Sequence, residues 1–236
     1  MRLAWPDLGA SPDRFRAQTA RAAGGLAPLG RMGYPACDME DPPEVVGLKV
    51  IGIVGSPRKG GNTERLIVEA LTTVAGEGFE TELIRLADLE IKPCDACESC
   101  RKLGRCKQKD DFEPIYEKML AADGIIVGSP VYFSAPTPNV LALLQRAGYV
   151  AGATGRPFER KVGGPITVAR RAGQNFALAQ LLFFFLHQGF IVPGSTYWNI
   201  AFGREPGEVE SDAEGLRTIR NFAANVAWTL RKLRAE

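Results

Sequence analysis

From residue 48 onward, short apolar runs alternate with longer segments of helical periodicity. The runs LKVIGIV (48–54) and GIIVGSP (124–130) are rich in β-branched and small apolar residues, which is typical of strands buried on both faces. The segments FETELIRL (79–86), KVGGPITVA (161–169) and FIVPGSTYWN (190–199) are predicted to hold three further strands. Strands that alternate with helices predict an α/β fold with a parallel sheet covered by helices on both faces.

Helical periodicity fills the gaps between these strands. Five helices are predicted: one from Thr63, one over 112–121, one after Pro138, one over 174–188 and one over 211–233. The expected architecture is a doubly wound, five-stranded parallel sheet in the order 2-1-3-4-5.

The first 46 residues differ from the rest of the chain. They contain six prolines and no sustained apolar period, so we expect a loose arm over 1–46 ahead of one folded domain over 47–236. An arm that wraps a partner is the functional interpretation, and a disordered leader is the simpler one.

Composition limits the kinds of function that this chain can have. The net charge of +2 gives no support for nucleic-acid binding, and the single histidine, His187, excludes a multi-histidine metal site. The longest apolar stretch, 176–186, is far shorter than the roughly 20 residues of a membrane span. Charges stand near the N-terminus where a secretory signal would have its apolar core, so we expect a cytoplasmic protein with no membrane partner.

A glycine-rich junction joins the first strand to the first helix. In GSPRKGGNT (55–63), unpaired backbone N–H groups and the positive end of the helix dipole form a candidate anion site. The spacing matches neither G-x-G-x-x-G nor a P-loop. A single phosphate, as in a mononucleotide, is the predicted ligand, and a tight turn with an ordinary N-cap is the alternative. The candidate residues are Ser56, Arg58, Lys59, Gly61, Asn62 and Thr63.

Two other loops leave the carboxyl ends of strands at the same predicted edge. Ligands of open α/β sheets bind at this edge, which in the 2-1-3-4-5 order lies between strands 1 and 3. The two aromatic residues of the first loop could flank a planar ring, or one of them could cap the core. The second loop carries polar donors and two cations, and a solvated turn is its simpler interpretation. The candidates are Pro130, Val131, Tyr132 and Phe133 in the first loop and Ala169, Arg170, Arg171, Gly173 and Gln174 in the second.

Four of the five cysteines are concentrated in one short segment. Cys94, Cys97, Cys100 and Cys106 form the pattern C-x2-C-x2-C-x5-C, which we expect within an insertion over 91–110. Zinc sites usually separate two C-x2-C pairs by a dozen or more residues, whereas iron–sulfur segments use the compact triple. The pattern therefore favours a [4Fe–4S] cluster over zinc and over free or redox-active thiols.

The position of the cysteine segment suggests how it would act. It leaves the carboxyl end of strand 2, at the edge predicted for the phosphate loop, so cluster and ring are expected to be neighbours. Five nearby cations could offset the negative charge of a thiolate-ligated cluster, although a solvated basic loop is the commoner explanation. These cations are Arg101, Lys102, Arg105, Lys107 and Lys109.

Taken together, the motifs resemble the iron–sulfur flavoprotein family within the wider NADPH-dependent FMN reductase, flavodoxin-like group. The resemblance extends from about Lys49 to the C-terminus and rests on five motifs: GSPRKGGNT, PCDACESCRKLGRC followed by Asp110-Asp111, AADGIIVGSPVYF, RRAGQ and HQGFIVPG. It implies a flavodoxin-like fold that binds FMN, with the phosphate at Ser56, Arg58, Asn62 and Thr63. It also implies a ring against the 130–133 loop, closure by 169–174, and a [4Fe–4S] cluster on the four cysteines.

The resemblance further implies an FMN-dependent oxidoreductase that forms homodimers or homotetramers, in which clusters and flavins approach across subunits. NAD(P)H or a ferredoxin-type carrier would be the electron donor. Two alternatives stay open: an NAD(P)H-dependent FMN or quinone reductase without a cluster, and a non-catalytic redox sensor acting through the arm. Gln145-Arg146 replaces an Asp-Arg pair of many relatives, so the contact made by that acid is not carried over.

Overall fold

The computed structural model describes residues 47–234, and the predicted arm over 1–46 lies outside them. Its sheet has the order β2-β1-β3-β4-β5, and every neighbouring pair is parallel, which confirms the predicted fold. The strands are β1 (Lys49–Val54), β2 (Glu80–Arg85), β3 (Gly124–Pro130), β4 (Val162–Ala169) and β5 (Ile200–Phe202).

Helices cover both faces of this sheet. One layer is formed by α1 (Asn62–Gly76) and α6 (Ala213–Arg234), and the other by α3 (Phe112–Ala121), α4 (Pro138–Ala153) and α5 (Gln174–His187). A short helix within the cysteine segment, α2 (Cys100–Leu103), and two 3-10 turns (Leu86–Asp88 and Glu208–Ser211) complete the described chain. None of the helices in this range is long and apolar enough to cross a membrane.

The apolar residues of β1 supply both layers of the core. Val50 and Val54 pack with the α1 and α6 layer, whereas Ile51 and Ile53 pack with the α3–α5 layer. Successive side chains of a strand point to opposite faces, so an unbroken apolar run is what a strand covered on both sides requires.

Gly55 marks the point where β1 ends beside β3. Its N–H donates to the Gly128 carbonyl at 2.8 Å, and its own carbonyl accepts from Thr137 Oγ1 at 2.8 Å. A Cβ at this position would lie 2.0 Å from Val140 Cγ2. Only glycine lets the two strand ends approach this closely, and this approach brings their following loops together.

The fifth strand lies further along the chain than predicted. Within 190–199, Ile191 forms an isolated bridge to the sheet, donating to the Lys161 carbonyl at 2.9 Å and accepting from the Gly163 N–H at 3.1 Å, and the Asn199 carbonyl accepts from the Thr167 N–H at 2.9 Å. The next donor of a parallel ladder would be Pro193, which has no N–H, so the pairing stops. The chain rejoins the sheet as β5, and the predicted position of this strand was therefore wrong.

Candidate functional site

A cavity of about 200 Å³ lies at the carboxyl edge of the sheet, between the loops that follow β1, β3, β4 and β5. This is the edge at which open α/β sheets bind their ligands. Most of the residues predicted from the sequence to bind a cofactor line this one cavity. They are Ser56, Arg58, Gly61, Asn62, Thr63, Pro130, Val131, Tyr132, Ala169 and Arg170.

The other five predicted cofactor residues do not line the cavity. The Lys59 ammonium pairs with Asp88 at 2.6 Å, and Phe133 is fully exposed at the tip of a turn. Arg171 is exposed, whereas Gln174 is buried and its carbonyl accepts from Thr167 Oγ1. Gly173 adopts φ +92°, and a Cβ there would lie 2.9 Å from Ser134 Oγ.

Hydrogen bonds within the glycine loop and from the loop to Glu64 of α1 fix its conformation. Ser56 Oγ accepts from the Arg58 N–H at 3.1 Å. The Glu64 carboxylate accepts from the Gly60 N–H at 2.9 Å and from the Arg85 guanidinium at 2.8 and 2.6 Å. The bonds from Arg85 are the main reason that the pKa of Glu64 lies below its ordinary value. A charged pair therefore anchors the loop at the start of α1.

The loop after β3 forms a small two-residue hairpin. Tyr132 and Ala135 exchange backbone hydrogen bonds of 2.8 and 2.9 Å, which leaves Phe133 and Ser134 at the tip with φ of 48° and 64°. Turns with two left-handed residues favour Asn-Gly, and other residues carry strain there. Gln180 of α5 donates to the Ser134 carbonyl at 3.1 Å and ties the hairpin to that helix.

A fourth wall of this cavity, which includes Gly203, Arg204 and Pro206, was missed by sequence reasoning. It follows β5, so placing β5 too early along the chain also misplaced its loop. Asn62 binds the segment: Nδ2 donates to the Glu205 carbonyl and Oδ1 accepts from the Gly207 N–H, both at 2.9 Å. The Asn62 side chain thus fixes one loop to another, which its prediction as a phosphate donor did not foresee.

The four clustered cysteines line a second cavity, of about 540 Å³, together with residues of the carboxyl-terminal half of α4. Two consecutive acids close the base of the loop that carries them. Asp111 exchanges hydrogen bonds with the backbone of Glu90, at 2.7 and 3.0 Å, and Asp110 accepts from the Lys92 N–H at 2.8 Å. This closure gives the Asp110-Asp111 motif a structural role.

Arg146 of α4 is the buried cation of the cysteine cavity. Its guanidinium donates to the Lys92 carbonyl at 3.0 Å, to Asp110 Oδ1 at 3.0 Å and to Cys106 Sγ at 3.2 Å, and lies 4.2 Å from the Phe112 ring centroid. Burial opposes both charges, but hydrogen bonding between Arg146 and Asp110 prevails. It raises the pKa of the arginine and lowers the pKa of the carboxylate. The signal for this residue in the sequence is weak, a cation within a largely apolar helix.

The donor geometry indicates which kind of metal group the cysteines fit. Across residues 47–234, no three side chains of the His, Cys, Asp or Glu type converge closely enough to hold one metal ion. A cubane cluster takes each thiolate at a different iron atom, so its sulfur ligands stand further apart than those around a single ion. Four cysteine sulfurs around one cavity have the donor type and number that an iron–sulfur cluster takes.

Two further features of the cavity fit an anionic group. Ala96 and Glu98 adopt φ of 53° and 55°, and the next residue, Ser99, is right-handed. Alternating backbone of this kind forms a nest of N–H groups, which is found around phosphates and iron–sulfur centres. In addition, the buried Nε of Arg146 has no acceptor among the described residues. A buried donor without an acceptor destabilises the folded protein, and an anionic group in the cavity would supply the missing acceptor.

The two cavities share no lining residue. Helix α4 begins next to the first cavity, where Thr137 bonds Gly55, and reaches the second cavity from Arg146 onward. A rise of 1.5 Å per residue separates Pro138 from Arg146 by about 12 Å along the helix axis. The cysteine loop folds onto the distal half of α4, so the two predicted sites are separate cavities joined by this helix.

Comparisons with known proteins agree with this architecture. The model of the NADPH-dependent FMN reductase family matches residues 48–205, and the chain belongs to that family. It is therefore an FMN-dependent oxidoreductase.

Several relatives extend the similarity beyond the fold. An iron-sulfur flavoprotein of Methanocaldococcus jannaschii is 41% identical over 194 residues, which cover 79% of this chain and all of that protein. The iron-sulfur flavoprotein of Methanosarcina thermophila is 36% identical over 186 residues, 78% of this chain and 95% of that one. Among solved structures, RosB with bound 8-demethyl-8-formylriboflavin-5'-phosphate superposes with a TM-score of 0.64 at 21% identity, covering 80% of this chain and 81% of RosB.

Proposed function

We propose that this protein is a cytoplasmic iron–sulfur flavoprotein that binds FMN and one [4Fe–4S] cluster per chain. It takes electrons from NAD(P)H or a ferredoxin-type carrier and passes them to an acceptor. The observation that carries the proposal is that all four clustered cysteines line one cavity, separate from the cavity at the carboxyl edge of the sheet.

The FMN site is proposed at the edge cavity. The start of α1 offers N–H groups and a helix dipole to the phosphate, and Arg58, Arg170 and Arg204 line the cavity with positive charge. Tyr132 is half-exposed on the wall and offers an aromatic face to the ring. When bound, FMN exchanges a hydride or electrons and the cluster exchanges single electrons, while the protein sets their positions.

The test is an anaerobic absorbance spectrum before and after dithionite, with iron and flavin analysis. We expect flavin bands over a broad charge-transfer shoulder, both bleached on reduction. Cys97→Ala should remove the shoulder and the iron while retaining FMN. The matched control is Cys37→Ala, at the one cysteine outside the motif. Flavin bands alone in the wild-type protein, even after attempted cluster reconstitution, would identify an FMN-dependent reductase without a cluster.

We also propose that the protein self-associates through the groove between α4 and α5. This groove has a volume of about 630 Å³, and its lining includes Phe183, which is largely exposed. It meets the cysteine cavity at Gly148 and Tyr149. We propose a second copy as the occupant, because an interface beside the cysteine cavity would give electrons a route between the cofactors of two chains.

Self-association is tested by measuring mass in solution with light scattering. We expect a dimer or tetramer for the wild-type protein and a smaller species for Phe183→Glu. Trp228→Glu is the matched control, since Trp228 is also an exposed aromatic residue but lies on α6, in the opposite layer. A monomeric wild-type protein, or equal masses for all three proteins, would contradict the proposed interface.

A further inference from the structure

The four cysteines do not have equivalent surroundings. Cys106 alone receives a hydrogen bond from the buried guanidinium of Arg146, whose Nη2 lies 3.2 Å from its sulfur. The cysteine returns from the loop after α2 and packs, partly buried, against the core layer that contains Phe112. A hydrogen bond from a charged donor to a sulfur is stronger in a buried site than at the surface, because the local dielectric constant is lower.

The guanidinium of Arg146 is fixed in place from three further directions. Asp110 pairs with it, the Lys92 carbonyl accepts from Nη1 at 3.0 Å, and the Phe112 ring lies beneath it at 4.2 Å. Its partners belong to both ends of the cysteine loop, so one side chain joins the loop to helix α4. The rigid fork of arginine can serve all these acceptors at once, and lysine cannot.

We propose that Arg146 is a positioning residue for the cluster: it orients Cys106 and raises the reduction potential of the cluster that Cys106 ligates. This inference rests on the proposed function. Hydrogen bonds to ligand sulfurs are among the factors that set the potential of an iron–sulfur centre. An N–H donor draws electron density from the sulfur, so it stabilises the reduced cluster, which carries one more negative charge, more than it stabilises the oxidised cluster.

The experiment compares the midpoint potential of the cluster in wild-type protein, Arg146→Met and Arg146→Lys, by EPR-monitored titration with dithionite. Arg146→Met should move the potential to a more negative value. We expect a roughly tenfold change in the reduced-to-oxidised ratio at fixed potential, which for a one-electron couple is about 59 mV. Arg146→Lys restores the charge but not the full fork, and should recover part of the shift.

Arg231→Met is the matched control. Arg231 also pairs with a carboxylate, Glu77, at 2.7 Å and lies over an aromatic ring, Phe79, but it does not line the cysteine cavity. Its loss should leave the cluster potential unchanged. If Arg146→Met retains iron with the wild-type potential, or if Arg231→Met shifts the potential equally, the inference is overturned.

A second variant guards against a protein that fails to fold. Arg146→Met leaves the Asp110 carboxylate buried without a counter-charge, so the double variant Arg146→Met/Asp110→Asn removes that charge while keeping an oxygen acceptor for the Lys92 N–H. It should bind FMN normally and show a negative shift that is smaller than in Arg146→Met, because the loss of the Asp110 charge acts in the opposite direction. If wild-type protein holds no cluster after reconstitution, the proposed function fails and this inference with it. Wild-type iron with an unshifted double variant defeats the inference alone.

Discussion

Arg146 and Asp110 form an ion pair that is almost completely withdrawn from solvent, with 1% and 0% of their side chains exposed. The partners come from helix α4 and from the end of the cysteine loop, so the pair joins an insertion to the core of the fold. Removing one partner of such a pair leaves an uncompensated buried charge.

Asp110→Ala is therefore expected to lower the free energy of unfolding by about 3–5 kcal/mol at neutral pH. The substitution leaves the Arg146 charge buried without a counter-charge. It also removes the acceptor for the Lys92 and Phe112 N–H groups. Urea denaturation of the two proteins measures the difference. The control is Asp88→Ala, which breaks the exposed pair with Lys59 and should cost at most about 1 kcal/mol. Equal costs for the two substitutions would contradict the importance assigned to the buried pair.

Glu64 gives the glycine loop a pH-dependent contribution to stability. The pKa of Glu64 in the folded protein lies below its ordinary value, mainly because of Arg85. The stability gained is fully present above the unfolded-state pKa, and it is lost as the pH falls through the lower folded-state pKa. Since Arg85 is partly exposed, Glu64→Gln should cost only about 1 kcal/mol at pH 7. The cost should shrink towards pH 3, as followed by urea denaturation at both pH values. A cost that does not vary with pH would show that charge plays no part.

Much of the fold could be predicted because its local signals agree with its packing. Strands β1 and β3 read as unbroken apolar runs because both of their faces are covered. Strand β5 has only three residues and follows a proline that interrupts pairing, so its position depends on a register that no local pattern displays. The misplaced strand also explains why the loop at Gly203 and Arg204 was not predicted.

In the candidate sites, too, residues close in sequence could be predicted and partners distant in sequence could not. Four cysteines at short spacing indicate one cavity directly, since sequence neighbours lie close together. The partners of Arg146 are between 36 and 54 residues away in sequence, so nothing near position 146 indicates them. Asn62 was expected to serve a ligand because of its place in the loop. Its amide also bonds a segment more than 140 residues away, which no local pattern indicates.

The close approach at Gly55 predicts a strong effect from the smallest possible substitution. Gly55→Ala would put a Cβ 2.0 Å from Val140 Cγ2 and 3.0 Å from the Gly128 carbonyl oxygen. We expect a loss of about 1–3 kcal/mol in the free energy of unfolding, with weaker FMN binding because the loops move apart. Gly76→Ala is the control: nothing lies within 4 Å of its Cβ. This substitution, at the end of α1, should be neutral or slightly stabilising. Thermal unfolding and FMN titration of both variants provide the measurement, and an unaffected Gly55→Ala protein would rule out the close contact.

At the hairpin tip beside the edge cavity, we expect a substitution that raises stability to weaken ligand binding. Phe133 and Ser134 both occupy left-handed backbone, and Phe133 is fully exposed, so the protein keeps an unfavourable residue where it makes no packing contribution. Replacing the pair with Asn-Gly, the sequence that this turn prefers, should raise the free energy of unfolding by about 1 kcal/mol. If Phe133 covers a bound flavin, the same variant should bind FMN several-fold more weakly. Phe176→Asn, at an exposed phenylalanine in the first turn of α5, serves as the control and should leave FMN affinity unchanged. A variant that gains stability without losing affinity would mean that Phe133 has no part in flavin binding, and a variant that gains no stability would contradict the strain inferred at this turn.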